Sequence, residues 1–92
     1  MTINHTFTVT DPIGLHARPV GQIVTLVRES GATVTLRNSE GKEASAASAL
    51  KMLAMKVKSG ESLELVIDAE DDAAGHALTK AIEALVNEGE YW

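Results

Sequence analysis

The chain has 92 residues, 45% of them hydrophobic, which is enough for one domain with one core. It has no cysteine, so disulfides and zinc-thiolate sites are excluded, and its net charge of −5 disfavours binding to nucleic acid. No apolar run approaches the roughly 20 residues of a membrane-spanning helix, and the first residues do not resemble a signal peptide. We therefore expect a single domain over residues 1–92 that is monomeric, located in the cytoplasm and not inserted in a membrane.

Hydrophobic residues recur along the chain with a period of either 2 residues, typical of strands, or 3.6 residues, typical of helices. The sequence of these periods predicts the element order β-α-β-β-α-β-α. A strand over 3–10 precedes a helix over 17–30, which ends before Gly31. A hairpin over 32–37 and 42–46 leads to a helix over 49–57, with Ser48 as its N-cap. A strand over 63–68 and a helix over 73–88, capped by Asp71 or Asp72, complete the order.

The predicted strands have one apolar and one polar face, so helices can pack on one side of the sheet only. The predicted fold class is α+β, an open-faced β-sandwich with three helices on one face of a four-stranded antiparallel sheet. In the last helix, the residues expected to face the core are Ala74, Leu78, Ala81, Ile82 and Leu85.

The segment Gly14-Leu15-His16-Ala17-Arg18-Pro19 places a histidine where a loop becomes the first helix. Proline suits the first turn because its missing N–H is not needed there. Free N–H groups and the positive end of the helix dipole favour an anion at this position, and Arg18 adds a further donor. The spacing alone leaves two interpretations open: His16 is the nucleophile of a phosphoryl transfer, or it caps the helix while Arg18 is solvated.

This segment resembles the phosphorylation-site signature of the HPr family, the histidine-containing phosphocarriers of the bacterial phosphoenolpyruvate-dependent sugar phosphotransferase system. The resemblance extends over nearly the whole chain, including residues 41–48 and the element order. It implies that enzyme I phosphorylates His16 on Nδ1 and that an enzyme IIA takes the group in sugar uptake. It further implies that Arg18 steadies the phosphoryl group, with the backbone N–H groups of Ala17 and Arg18 as additional donors. Such a protein is a carrier with little turnover of its own.

The same resemblance gives roles to the segment around the second helix. Ser48 matches a serine that a regulatory HPr kinase phosphorylates in some members, although helix capping also explains it. Residues that resemble the family's docking surface follow: Ala49, Leu50, Lys51 and Leu53, with Met52 and Met55 in the core instead. Arg28 is the cation retained on the first helix, since Thr25 stands where many members have lysine.

Two other functions share this fold or this anion site. A regulatory homologue in a nitrogen-type phosphorelay acts through phosphorylation-dependent protein binding, whereas a passive anion- or nucleotide-binding module binds without covalent labelling. We expect no metal and no cofactor, because His5, His16 and His76 are scattered without ligand spacing. His5 and His76 are expected to be ordinary surface residues. For the tail residues Tyr91 and Trp92 the sequence leaves three alternatives open: a frayed end, folding back on the domain, or contact with a partner.

Overall fold

The computed structural model describes residues 1–87, which form four strands and three helices. The strands are β1 (Thr2–Thr8), β2 (Thr33–Asn38), β3 (Glu43–Ser45) and β4 (Ser62–Asp68), and the helices are α1 (Ala17–Ser30), α2 (Ala49–Ala54) and α3 (Asp72–Asn87). The strands form one antiparallel sheet in the order β1-β4-β2-β3. This confirms the predicted fold class. The predicted end of the last helix at residue 88 and the aromatic residues Tyr91 and Trp92 lie outside the described residues.

The core lies between the sheet and the helices. β4 is central because it pairs with β1 on one side and with β2 on the other. Its alternating residues Leu63, Leu65 and Ile67 are fully buried, and α1 and α3 cover them with Val20, Ile23 and Ile82. Alternation along the strand therefore gives the sheet one apolar face, while the other face carries threonines and charges.

The open face of the sheet is crosslinked by polar side chains. The Arg37 guanidinium donates to Glu43 at 2.8 Å and to Glu64 at 3.0 Å, and Glu64 also accepts from the side-chain amide of Asn4 at 2.9 Å. The hydrogen bond and the charge of Glu43, followed by the charge of Glu64, raise the pKa of Arg37. This network connects all four strands on the side that no helix covers.

Helix α1 has the predicted bounds, whereas the second helix does not. α1 ends at Ser30, and Gly31 follows in the left-handed conformation with a φ of 75°. The prediction of a helix over 49–57 was wrong, because α2 stops at Ala54 and Lys56 turns the chain with a φ of 53°. The turn allows Val57 to enter the core, so tertiary burial ends the helix before the polar stop signal at Ser59 and Gly60.

Helix α3 is rotated slightly from its predicted orientation. Asp71 is the N-cap, and its carboxylate accepts from the backbone N–H of Ala74 at 2.8 Å. The prediction that Ala74 faces the core was wrong, because it is exposed and Gly75 is buried against Ile3 instead. Thr79 is also buried, and its hydroxyl donates to the carbonyl of Gly75 at 2.9 Å, which satisfies the polar atom.

Candidate phosphoryl-transfer site

The loop before α1 is held in place by backbone hydrogen bonds. The Asp11 side chain accepts from the N–H of Ile13 at 2.8 Å, and its carbonyl accepts from the N–H of Gly14 at 2.9 Å. Leu15 is buried, and its N–H donates to the carbonyl of Val57 at 3.0 Å. The residue that precedes His16 is therefore fixed both to the core and to the segment after α2.

Gly14 is required in this loop for two reasons. It has a φ of 83°, a conformation that residues with a Cβ rarely adopt. An added Cβ would also lie only 2.5 Å from the carbonyl oxygen of Val57 and 2.9 Å from the Cα of Lys58. The close approach of the two backbones therefore depends on glycine, and it sets where α1 begins.

His16 occupies the N-cap position of α1 without capping the helix. Its backbone is extended, with a φ of −129° and a ψ of −178°, and its carbonyl accepts the first helical bond from Val20 at 3.1 Å. Its half-buried side chain makes no cap hydrogen bond. This observation removes the main support for the alternative in which His16 serves as the helix cap.

The first turn of α1 leaves donors available beside His16. The first N–H groups of a helix have no partner within the helix, and Pro19 contributes none. The N–H groups of Ala17 and Arg18 therefore point out of the helix start, where the dipole favours an anion. Arg18 is exposed and forms no salt bridge within residues 1–87. An anionic group bound to the imidazole of His16 would meet these donors.

The predicted docking residues all lie on the surface. Leu50 is 79% exposed and Leu53 38% exposed, and Ala49 and Lys51 are exposed beside them. Met52 is fully buried, which confirms that α2 has a core face and an outer face. Arg28 is exposed on α1, but its guanidinium donates to the carbonyl of Ala47 at 3.0 Å. It thereby connects α1 to the residue before Ser48.

Ser48 is the N-cap of α2, as predicted. Its hydroxyl oxygen accepts from the backbone N–H of Lys51 at 3.3 Å, and its carbonyl accepts from Met52 at 3.1 Å. The side chain is half-buried. Capping explains its position fully, and regulatory phosphorylation stays a prediction.

The prediction for His5 missed a long-range contact. His5 is half-buried on the inner face of β1, where its Nε2 lies 2.7 Å from Oε1 of Glu83 and its ring stacks on Phe7. His76 is exposed, as predicted.

Within residues 1–87 there is no group of three or more His, Cys, Asp or Glu side chains placed to hold a metal ion. No helix in the same range is long and apolar enough to cross a membrane.

Known proteins resemble this chain over nearly its whole length. Residues 3–88 match the family described as PTS HPr component phosphorylation site. The phosphocarrier protein NPr of Escherichia coli strain K12 is 36% identical over 89 residues, which cover 97% of this chain and 96% of that protein. The phosphocarrier protein HPr of Lysinibacillus sphaericus is 35% identical over 66 residues, covering 72% of this chain and 74% of that protein.

Solved structures agree with the fold. The phosphocarrier protein HPr of Bacillus anthracis superposes with a TM-score of 0.80 at 20% identity, covering 94% of this chain and 98% of that one. The histidine-containing phosphocarrier protein of a mycoplasma gives a TM-score of 0.77 at 25% identity, with 90% and 92% covered. Fold and sequence together define the class as a phosphocarrier of the phosphotransferase system. Within that class, the chain belongs to the HPr family.

Proposed function

We propose that the protein accepts a phosphoryl group on His16 from a phosphorylated enzyme I-type donor and passes it to an enzyme IIA-type acceptor. The observation that carries this proposal is the uncapped start of α1. His16 stands there with a side chain that makes no cap hydrogen bond, next to two N–H donors. Arg18 lies beside it, exposed and without a salt bridge to any residue from 1 to 87. Family membership supports the same assignment.

The transfer requires little chemistry beyond positioning. A ring nitrogen of His16 attacks phosphorus with its lone pair, while the bond between phosphorus and the donor breaks and its electron pair returns to the donor. The N–H groups of Ala17 and Arg18 and the Arg18 guanidinium would stabilise the equatorial oxygens as charge redistributes. Delivery is the same step in reverse: the acceptor's nucleophile attacks phosphorus opposite His16, the bond between phosphorus and the ring nitrogen breaks, and its electron pair returns to that nitrogen.

The relatives favour the nitrogen-type branch for this chain. The NPr of E. coli strain K12 matches over 97% of its length, whereas the HPr of L. sphaericus matches over 72%. We therefore propose a nitrogen-type phosphorelay as the setting. Sugar uptake stays the second candidate, supported by the similarity to HPr. Ser48 as a kinase target and the outer face of α2 as the docking surface belong to the proposal for either setting.

The test is phosphorylation in a reconstituted relay. The protein is incubated with phosphoenolpyruvate and either a sugar-type or a nitrogen-type enzyme I, and intact mass is followed over time. We expect one acid-labile phosphoryl group on the wild type, faster labelling by the nitrogen-type enzyme, and no labelling of His16→Ala. His76→Ala is the matched control, because it removes an exposed histidine elsewhere. If neither enzyme labels the wild type, the carrier function is wrong.

A further inference from the structure

The last residue of α3 reaches the beginning of the loop that carries His16. The side-chain amide of Asn87 donates to the carbonyl of Thr8 at 3.0 Å, and its oxygen accepts from the backbone N–H of Thr10 at 2.9 Å. Thr8 ends β1, and Thr10 comes just before the turn that begins at Asp11. One side chain therefore connects the end of a helix to the point where the strand becomes the loop.

These two hydrogen bonds complete the pairing of an edge strand. β1 has β4 on one side only, and Val9 faces that side, because its N–H donates to the carbonyl of Glu61 at 2.9 Å and its carbonyl accepts from the N–H of Gly60 at 2.7 Å. Neighbouring residues of an extended chain direct their backbone groups to opposite sides, so those of Thr8 and Thr10 point away from β4. The amide at the end of α3 supplies the donor and the acceptor that a fifth strand would provide.

The loop between β1 and α1 is therefore held at both ends. Thr10 is bound to Asn87 at the start of the loop, and Leu15 is bound to the carbonyl of Val57 at its end. A segment that is held at one point can pivot about it, whereas a segment held at two points cannot. Without the bond to Asn87, the loop could tilt about Leu15, and the adjacent His16 would move with it.

The packing of α3 does not depend on Asn87. Ile82 and Val86 are fully buried in the core, and Glu83 contacts His5 of β1 at 2.7 Å, one helical turn before Asn87. The helix is thus attached both to the core and to β1 by other residues. What Asn87 adds to these contacts is a connection to the loop before α1.

We propose that Asn87 is a positioning residue for phosphoryl transfer at His16. By fixing Thr10, it fixes the direction from which the chain enters α1, and with it the orientation of the imidazole relative to the N–H groups of Ala17 and Arg18. Phosphoryl transfer depends on alignment, and a displacement of about 1 Å can cost about a hundredfold in rate. This inference rests on the proposed function and adds to it a residue from the last helix that acts through the loop.

The test separates the rate of transfer from the binding of the partner. Labelling by an excess of phosphorylated enzyme I, of whichever type labels the wild type, is followed in single turnover, which gives a maximal rate and a half-saturating concentration. We expect Asn87→Ala to lower the maximal rate about tenfold and to leave the half-saturating concentration within about twofold, because the exposed residues of α2 are unchanged. Glu83→Ala is the matched control, since it removes the contact between α3 and His5, and it should leave both quantities within about twofold of the wild type.

Asn87→Asp distinguishes positioning from a general loss of stability. The carboxylate can still accept from the N–H of Thr10, but it cannot donate to the carbonyl of Thr8, and it places a negative charge beside that oxygen and at the end of a helix. We therefore expect Asn87→Asp to be no more stable than Asn87→Ala in urea unfolding, and yet to be labelled at a maximal rate within about threefold of the wild type.

Two results would overturn this role of Asn87. Labelling of Asn87→Ala as fast as that of Glu83→Ala would show that the loop does not need the bond. Maximal rates that fall in step with the loss of stability across the three variants would show that the effect is structural. In both cases the carrier function stands, because the wild type is labelled. A wild type that neither type of enzyme I labels would overturn the carrier function and the role of Asn87 with it.

Discussion

Arg18 and Arg28 lie on the same helix, but they have different surroundings. Arg28 donates to the carbonyl of Ala47, whereas Arg18 is exposed at the helix start and forms no salt bridge within residues 1–87. An exposed side chain without a partner contributes little to stability, so its value lies in what it binds. At the scale of single residues, this contrast allows function and stability to be separated on one helix.

We expect Arg18→Gln to slow phosphorylation of His16 by at least about tenfold, because a charge-assisted hydrogen bond to the phosphoryl group is worth roughly 1.5–3 kcal/mol. The free energy of unfolding should change by less than about 0.5 kcal/mol. Arg28→Gln is the control and should lose about 1 kcal/mol of stability with its hydrogen bond to Ala47. Labelling kinetics and urea unfolding measure both quantities. An unchanged labelling rate for Arg18→Gln would remove this arginine from the site.

At the scale of elements, the start of α1 is determined by the contact between its preceding loop and the segment after α2. Gly14 and Gly41 both have positive φ, of 83° and 88°, but only Gly14 has neighbours within 4 Å of an added Cβ. The two glycines therefore separate the cost of backbone conformation from the cost of a collision between two loops.

We expect Gly41→Ala to cost about 1 kcal/mol of stability, which is the penalty for the left-handed conformation alone. Gly14→Ala should cost at least about 2 kcal/mol more, because the Cβ meets the carbonyl of Val57 and the two loops have to separate. It should also slow phosphorylation, since Leu15 then no longer anchors His16. Equal losses of stability for Gly14→Ala and Gly41→Ala in urea unfolding would show that the two loops separate at little cost in free energy.

At the scale of the whole molecule, the sequence patterns predicted those features of the fold that depend on residues close together in the chain. The apolar residues spaced along 17–30 and the stop signal at Gly31 predicted the bounds of α1. The same signals predicted that His16 lies at its start. The end of α2 could not be predicted, because it depends on Val57 entering the core and bonding Leu15, 42 residues away. The pairing of His5 with Glu83 was missed for the same reason, since 78 residues separate the two. The role of His16 came from resemblance and not from spacing.

The layered architecture leads to one more prediction, on two leucines with opposite surroundings. Three helices cover one face of the sheet, so α2 buries Met52 and leaves Leu50 79% exposed, while Leu65 is fully buried in the central strand. Leu65→Ala should cost about 2–5 kcal/mol of stability, because it opens a cavity in the core. Leu50→Ala should leave stability within about 0.5 kcal/mol of the wild type.

Phosphoryl transfer should be affected more by Leu50→Ala than by Leu65→Ala, which is the reverse of the order expected for stability. If the outer face of α2 contacts the partners, truncating Leu50 at a desolvated contact raises the KM for labelling by enzyme I roughly tenfold, equivalent to about 1.4 kcal/mol. Leu65→Ala, assayed at a temperature where it is folded, should keep a near-normal KM because its side chain never reaches the surface. Leu50→Ala with an unchanged KM would place the docking surface elsewhere on the molecule.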